Sequence, residues 1–239
     1  MIAKLLKLPA AIDRSAIGKS AVIGFFLHVC YLGGVFFAIS QGVSAGLAAV
    51  ITSLQPVLVS VVAVKVLGEK LRRIQVVGLL LGLGGVVLVL RPSIAGAIST
   101  LGICAVFIAL LGSTTATILQ KKFGSEIPLL VGTAYQYLAS GFVLALLAIA
   151  MGRTRIQWNI QFVGAMIWLI LALSVGAILL LLWLLNTGSA TSVSSLFYLV
   201  PPATALEAYF LFGEKVNTQG LVGIIIAALG VWLVMKPTS

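Results

Sequence analysis

Glu207 sits in LVPPATALEAYFLFGEK, residues 199–215, and is one of only five acidic residues in the chain. A charged carboxylate at the centre of a bilayer costs about 2.5–3.5 kcal/mol on insertion scales, so a Glu in such a stretch must face a protein interior or a wet cavity. Two readings stay open: Glu207 lines a substrate path or exchanges protons there, or it pairs with a donor as part of the packing. His28 is the only histidine, with Gly24 and Tyr31 near it at helical spacing. It is either a neutral packing residue or a group for a proton-linked step, since imidazole titrates near neutral pH in water. One His builds no metal site, and one His with one Glu makes no dyad for bond cleavage, so neither an enzyme nor a cofactor is expected. Cys30 and Cys104 fall in apolar stretches and read as small packing residues rather than a disulfide or a metal pair.

Two prolines mark where polar groups could gather. Pro56 and Pro201 each lie inside an apolar run and remove a backbone hydrogen bond, leaving carbonyls to bend the helix or face a cavity. Thr52, Ser53 and Gln55 precede the first and Tyr198 the second, while Tyr135 and Gln136 lie deep in another apolar stretch. All are candidate cavity-lining groups. The competing role for each is an interhelical hydrogen bond, typically worth only ~0.6 kcal/mol. Glu69 and Glu214 lie in two GEK triplets at the ends of apolar runs and read as turn-fixing caps. GLLLGLGG at 78–85 lacks the strand context and the Lys-Ser/Thr ending of a nucleotide loop. Gly78 and Gly82, matched later by Gly223 and Ala227, instead form a small-residue face for close helix approach.

The elements that must hold these residues follow from composition. Hydrophobic residues make up 61% of the 239 and charged residues 8%, against about 25% charge in soluble domains. Such a chain cannot cover a soluble core with polar surface, so the lipid bilayer is its solvent. A helical span needs ~20 apolar residues. Eight stretches qualify, at about 20–41, 45–67, 74–91, 98–120, 128–151, 162–186, 190–212 and 218–236. Their continuous hydrophobicity specifies helices, because barrel strands alternate. The expected fold class is therefore an all-α polytopic bundle of eight transmembrane helices.

The net charge of +10 is spread through short loops and ends, so it reads as a topology signal and not as a nucleic-acid surface. With the N-terminus inside, eleven basic residues fall inside (Lys4, Lys7, Arg14, Lys19, Lys65, Lys70, Arg72, Arg73, Lys121, Lys122, Lys236). Four fall outside: Arg91, Arg153, Arg155 and Lys215. That bias places both termini in the cytoplasm. Trp168, Trp183 and Trp232 fall near expected span ends and Trp158 in a loop, as an interfacial belt requires. Residues 1–19 show no removable signal peptide and form an N-terminal segment before the first span.

A shift of 145 positions lays Ser44–Val89 on Ser189–Val234 without a gap. Pro56 meets Pro201, GEK at 68–70 meets GEK at 213–215, Gly78 meets Gly223, and RPS at 91–93 meets KPT at 236–238. Shared composition cannot align Pro, Glu and Gly at fixed spacing, so the chain contains a duplication. Counting spans puts the two GEK turns on opposite sides of the membrane. The repeats are therefore inverted, the architecture with which many secondary transporters build two gates around a midplane site.

SLQPVLVSVVAVKVLGEKLRRIQVVGLLLGLGGVVLVLRPS and YLVPPATALEAYFLFGEKVNTQGLVGIIIAALGVWLVMKPT resemble the EamA-type members of the drug/metabolite transporter superfamily. The resemblance covers about residues 20–238. It implies a secondary carrier that exports or exchanges small metabolites, amino-acid-like compounds or drugs, in the bacterial inner membrane. Members usually have ten spans in two five-helix repeats. Here residues 20–97 form a three-helix first repeat and residues 98–239 a five-helix second, so the resemblance implies that the first two helices are missing. A truncated, non-transporting or partner-dependent subunit is the alternative, with a homodimer or a partner chain supplying the missing helices.

Overall fold

A computed structural model of the chain describes residues 13–90, 100–152, 156, 158–203 and 218–236. Glu207 and the second GEK turn with Glu214 lie outside the described residues. Those described fold into an all-α bundle in which seven helices are long and apolar enough to cross a membrane. These are α1 (Arg14–Ser40), α2 (Ala45–Val66), α3 (Arg73–Leu90), α4 (Thr100–Glu126), α5 (Leu129–Ala150), α6 (Ile160–Thr187) and, after α7 (190–203 as described), α8 (Thr218–Met235). The stretch expected as the span 190–212 is described as far as residue 203; it begins as α7 at Ala190.

α1 begins at Arg14, several residues before the expected 20. Arg and Lys stems can run along a helix into the interfacial region with their charges in water. Lys19 then meets Glu126 at the end of α4, 3.0 Å away, and its ammonium also lies over the Phe123 ring.

α3 and α8 form the most extensive helix pair, antiparallel and nearly backbone to backbone. A Cβ on Gly78 would stand 2.6 Å from the Gly230 carbonyl oxygen, and one on Gly85 would stand 2.7 Å from that of Gly223. Under the 145-residue shift Gly78 corresponds to Gly223 and Gly85 to Gly230. The contact is thus reciprocal, as a two-fold axis between the helices requires. Leu79, Val86, Tyr198, Val231 and Val234 close around it. At one end Gln75 donates to the Val234 carbonyl and Arg72 to that of Lys236.

α4 is the most buried span and α6 the least, with 61% and 6% of their apolar windows buried. α4 packs on α1 and α2, and α5 packs on α1. Cys30 packs beside Gly112 of α4, whereas Cys104 is exposed on α4. All four tryptophans are exposed. Trp168, expected near a span end, instead lies eight residues into α6, about 12 Å along the axis at ~1.5 Å per residue.

Candidate functional site

Both proline-marked helices are interrupted where the sequence indicates. In α2 the helix Ala45–Thr52 gives way at Ser53 and Leu54 to a second helix starting at Gln55. Pro56 lies in that helix's first turn, where its missing N–H is tolerated. In α7 the short helix Ala190–Ser195 tightens into a 3-10 turn, Leu196–Leu199, just before Pro201. Each interrupted helix opens with a serine cap: Ser44 accepts from the Leu47 N–H at 3.2 Å and Ser189 from the Ser192 N–H at 3.1 Å.

Between the two breaks lies a chamber of about 120 Å³. Thr52, Ser53 and Gln55 of α2, Ser113 of α4, and Phe197 and Pro201 of α7 line it. Gln55 is buried and its Nε2 donates to Thr117 Oγ1 at 3.1 Å. The Thr117 hydroxyl spends its proton on the Ser113 carbonyl at 2.9 Å, so its oxygen can only accept from Gln55. That fixes the amide orientation and leaves Gln55 Oε1 buried without a partner.

A larger, mostly apolar chamber of about 570 Å³ adjoins it and shares Tyr31, Phe197 and Val200 as walls. Its two sides are unusual helix. Phe25–Gly33 of α1 and Leu169–Ala177 of α6 both adopt wide π-helical turns, and the repeat shift carries one onto the other to within one residue. Such turns are rare and concentrate at functional sites. Leu27, His28 and Tyr31 face the chamber from the first, and Leu169, Leu173 and Ser174 from the second. The His28 ring stacks on Tyr137 with centroids 4.6 Å apart, and its Nε2 has no hydrogen-bond partner. The Tyr137 hydroxyl donates to the Ser174 carbonyl at 2.8 Å, tying α5 to the π-helical turn of α6.

The other sequence candidates lie elsewhere. Tyr135 is half-buried and lines neither chamber; Tyr137, two positions on and about 200° further round the α-helix, lines the larger one. Gln136 is buried in an amide chain: its Nε2 donates to Gln120 Oε1 at 3.1 Å, Gln120 Nε2 to Asn186 Oδ1 at 3.3 Å, and Asn186 Nδ2 to the Gly124 carbonyl at 3.3 Å. This chain joins α5, α4 and α6. Tyr198 is fully buried in the core beside Gly82, with its hydroxyl unpaired. Pro56 is buried, and Pro201 lines the small chamber.

Glu69 caps a helix, but not its own. Its carboxylate accepts the Ala190 N–H at 2.6 Å, the Thr191 N–H at 3.2 Å and the Thr191 hydroxyl at 2.8 Å, at the N-terminus of α7. Gly68, with φ at +69°, shapes the turn that presents it. Sequence reasoning placed the cap but not its distant partner. A negative charge is favoured there because the first N–H groups of a helix point outward unpaired. Among the described residues no group of three or more metal-ligating side chains converges.

The EamA-like transporter family matches residues 1–91 and 100–236. An uncharacterized transporter of Bacillus subtilis (strain 168), YvbV, is 26% identical over 191 residues, covering 80% of this chain and 63% of the relative. An uncharacterized transporter of Clostridium kluyveri is 24% identical over 249 aligned residues, covering 96% of this chain and 79% of the relative. The chain thus spans less than two thirds of the length of the Bacillus relative. A crystal structure of a protein with 18% identity superposes with a TM-score of 0.79 over 98% of this chain and 82% of its own, a likeness of fold.

Proposed function

Because the chain belongs to the EamA-like transporter family, we propose that it is a secondary transporter exporting or exchanging small metabolites, amino-acid-like compounds or drugs, by alternating access between its repeats. The observation that supports this reading is the small chamber set between the two interrupted helices, with a larger chamber walled by α1, α5, α6 and α7 adjoining it. Interrupted helices free backbone groups for a substrate where unbroken helices cannot. Gln55 and His28 then contact the cargo, Pro56 and Pro201 keep the breaks open, and Glu207 or His28 carries the coupling proton. Both termini lie in the cytoplasm and the membrane is the bacterial inner membrane.

The test is flux from proteoliposomes containing the full chain, loaded with a radiolabelled panel of amino acids and amines. Protein-dependent efflux should appear for part of the panel and vanish in Gln55→Trp, which fills the small chamber. A correctly folded chain that moves nothing on the panel would defeat the carrier reading.

A second reading rests on α6. Its apolar window is 6% buried, against 28% for α1, its counterpart under the repeat shift. α1 is covered by α4 and α5. An equivalent helix pair, contributed by a partner chain or a second copy, would cover α6 and wall the large chamber. In that case the chain is a partner-dependent subunit.

A further inference from the structure

The hydrogen bonds around the small chamber restrict what it can hold. Each serine and threonine hydroxyl on its wall has already used its proton inside its own helix. Thr52 donates to the Ala48 carbonyl at 2.9 Å, Ser53 to Val50 at 2.6 Å and Ser113 to Leu110 at 3.0 Å. A hydroxyl that donates backwards offers only lone pairs forwards. Gln55 Oε1, buried and unpartnered, is a fourth acceptor. Pro56 adds to the bias, since it has no N–H for the Thr52 carbonyl. Against these acceptors, the second Gln55 N–H and the Tyr31 hydroxyl are the remaining side-chain donors among the described residues, the latter where the chambers meet. Among the described residues no Lys or Arg lines either chamber.

We infer that the site takes a molecule with an N–H-donating head, a primary ammonium or primary amide without a carboxylate, on an apolar body: the head lies at Gln55 between the two helix breaks and the body in the larger chamber. This rests on the transport reading and narrows its substrate class. A carboxylate there would set lone pairs against lone pairs with no counter-charge, and a buried acceptor left unmatched is costly. The body's place follows from the larger chamber's lining, in which, among the described residues, His28, Tyr31, Tyr137 and Ser174 are the polar side chains among mainly aliphatic ones.

Three probes share one body and differ only in the head: 3-phenylpropylamine, 3-phenylpropanamide and 3-phenylpropanoate. Their binding to the full chain in nanodiscs, read by isothermal titration calorimetry, should rank the amine or the amide at least ~10-fold above the carboxylate, the factor that one lost hydrogen bond of ordinary strength corresponds to. Gln55→Leu should weaken the preferred probe about tenfold and flatten the ranking. Ser113→Ala, a smaller change, serves as the second variant should Gln55→Leu fail to fold. Amine preferred over amide supports a charged head and the reverse a neutral one, both within the inferred class. Equal or tighter binding of the carboxylate, no binding of any probe, or a ranking unmoved in a folded variant overturns the inference. Flux separates the two readings. A donor probe that binds but is not moved defeats transport and leaves the site. Carriage of carboxylate metabolites without donor binding defeats the site and leaves transport.

Discussion

Replacing Glu69 should loosen one end of the bundle by a measurable factor. Its carboxylate gathers three donors at the start of α7, and a charged hydrogen bond in a protected site contributes about 1.5–3 kcal/mol. Glu69 is only half-buried, so water replaces much of what is lost and screening lowers the charge effect. A net loss of about 1–2 kcal/mol is the reasonable expectation for Glu69→Ala. At ~1.4 kcal/mol per tenfold, opening at that end rises roughly 5- to 30-fold. Gln in its place keeps one acceptor oxygen and turns an NH2 toward N–H donors, so Glu69→Gln should behave much like Ala. The assay is the labelling rate of a cysteine at Val193, a buried chamber residue just past the cap, in a Cys30→Ala, Cys104→Ala background with a membrane-impermeant maleimide. Acceleration should be seen from the membrane face that bears Lys70, Arg72 and Arg73, and not in Lys70→Ala. An unchanged rate in Glu69→Ala, or equal acceleration in Lys70→Ala, refutes the reasoning.

Three further outcomes follow from the packing. Gly85→Ala forces α3 from α8, because the added Cβ meets the Ala227 backbone, whereas Gly84→Ala, with nothing within 4 Å, is tolerated; detergent unfolding should show a loss of about 1–3 kcal/mol for the first and under ~0.5 for the second. Gln120→Leu removes the middle of the amide chain and strands Gln136 and Asn186, lowering stability by about 1–2 kcal/mol in the same assay. In flux measurements across pH 5.5–8.5, Glu207→Gln should abolish the pH dependence, while His28→Phe, which keeps a ring against Tyr137, should preserve the fold; an unaltered profile in both variants would remove proton coupling from these residues.

The helices were legible because lipid imposes a simple rule on sequence: long runs without charge. Boundaries of α2, α3, α5, α6 and α8 fall within a few residues of those expected, while α1 reaches back to Arg14 and α4 runs on to Glu126, because long basic stems, Lys121 and Lys122 in α4, blur the edge of a hydrophobic run. Pro and Gly punctuation pointed to a repeat, and Gly78 and Gly223, which it pairs, both lie in the close α3–α8 contact. Its reciprocal geometry needed three dimensions. The phase of a helix in the bundle was not legible: Tyr135 and Tyr137 are equally deep, and packing alone turns Tyr137 toward His28. Nor did Tyr198 announce that Gly82 would leave room for its ring in the core. The π-helical turns leave no mark that residue types alone reveal. The orientation of Gln55 depended on a threonine 62 positions away that had committed its own proton.

The α3–α8 contact bears on how such a chain could arise. Each helix presents the same small residues to the other, in opposite directions, so a single ancestral segment inserted both ways up would already have possessed its own mate. Gene fusion would then have added no new interface and merely fixed the stoichiometry. The two copies would then have been free to diverge everywhere except along this seam, where a change on one side must answer to the backbone of the other.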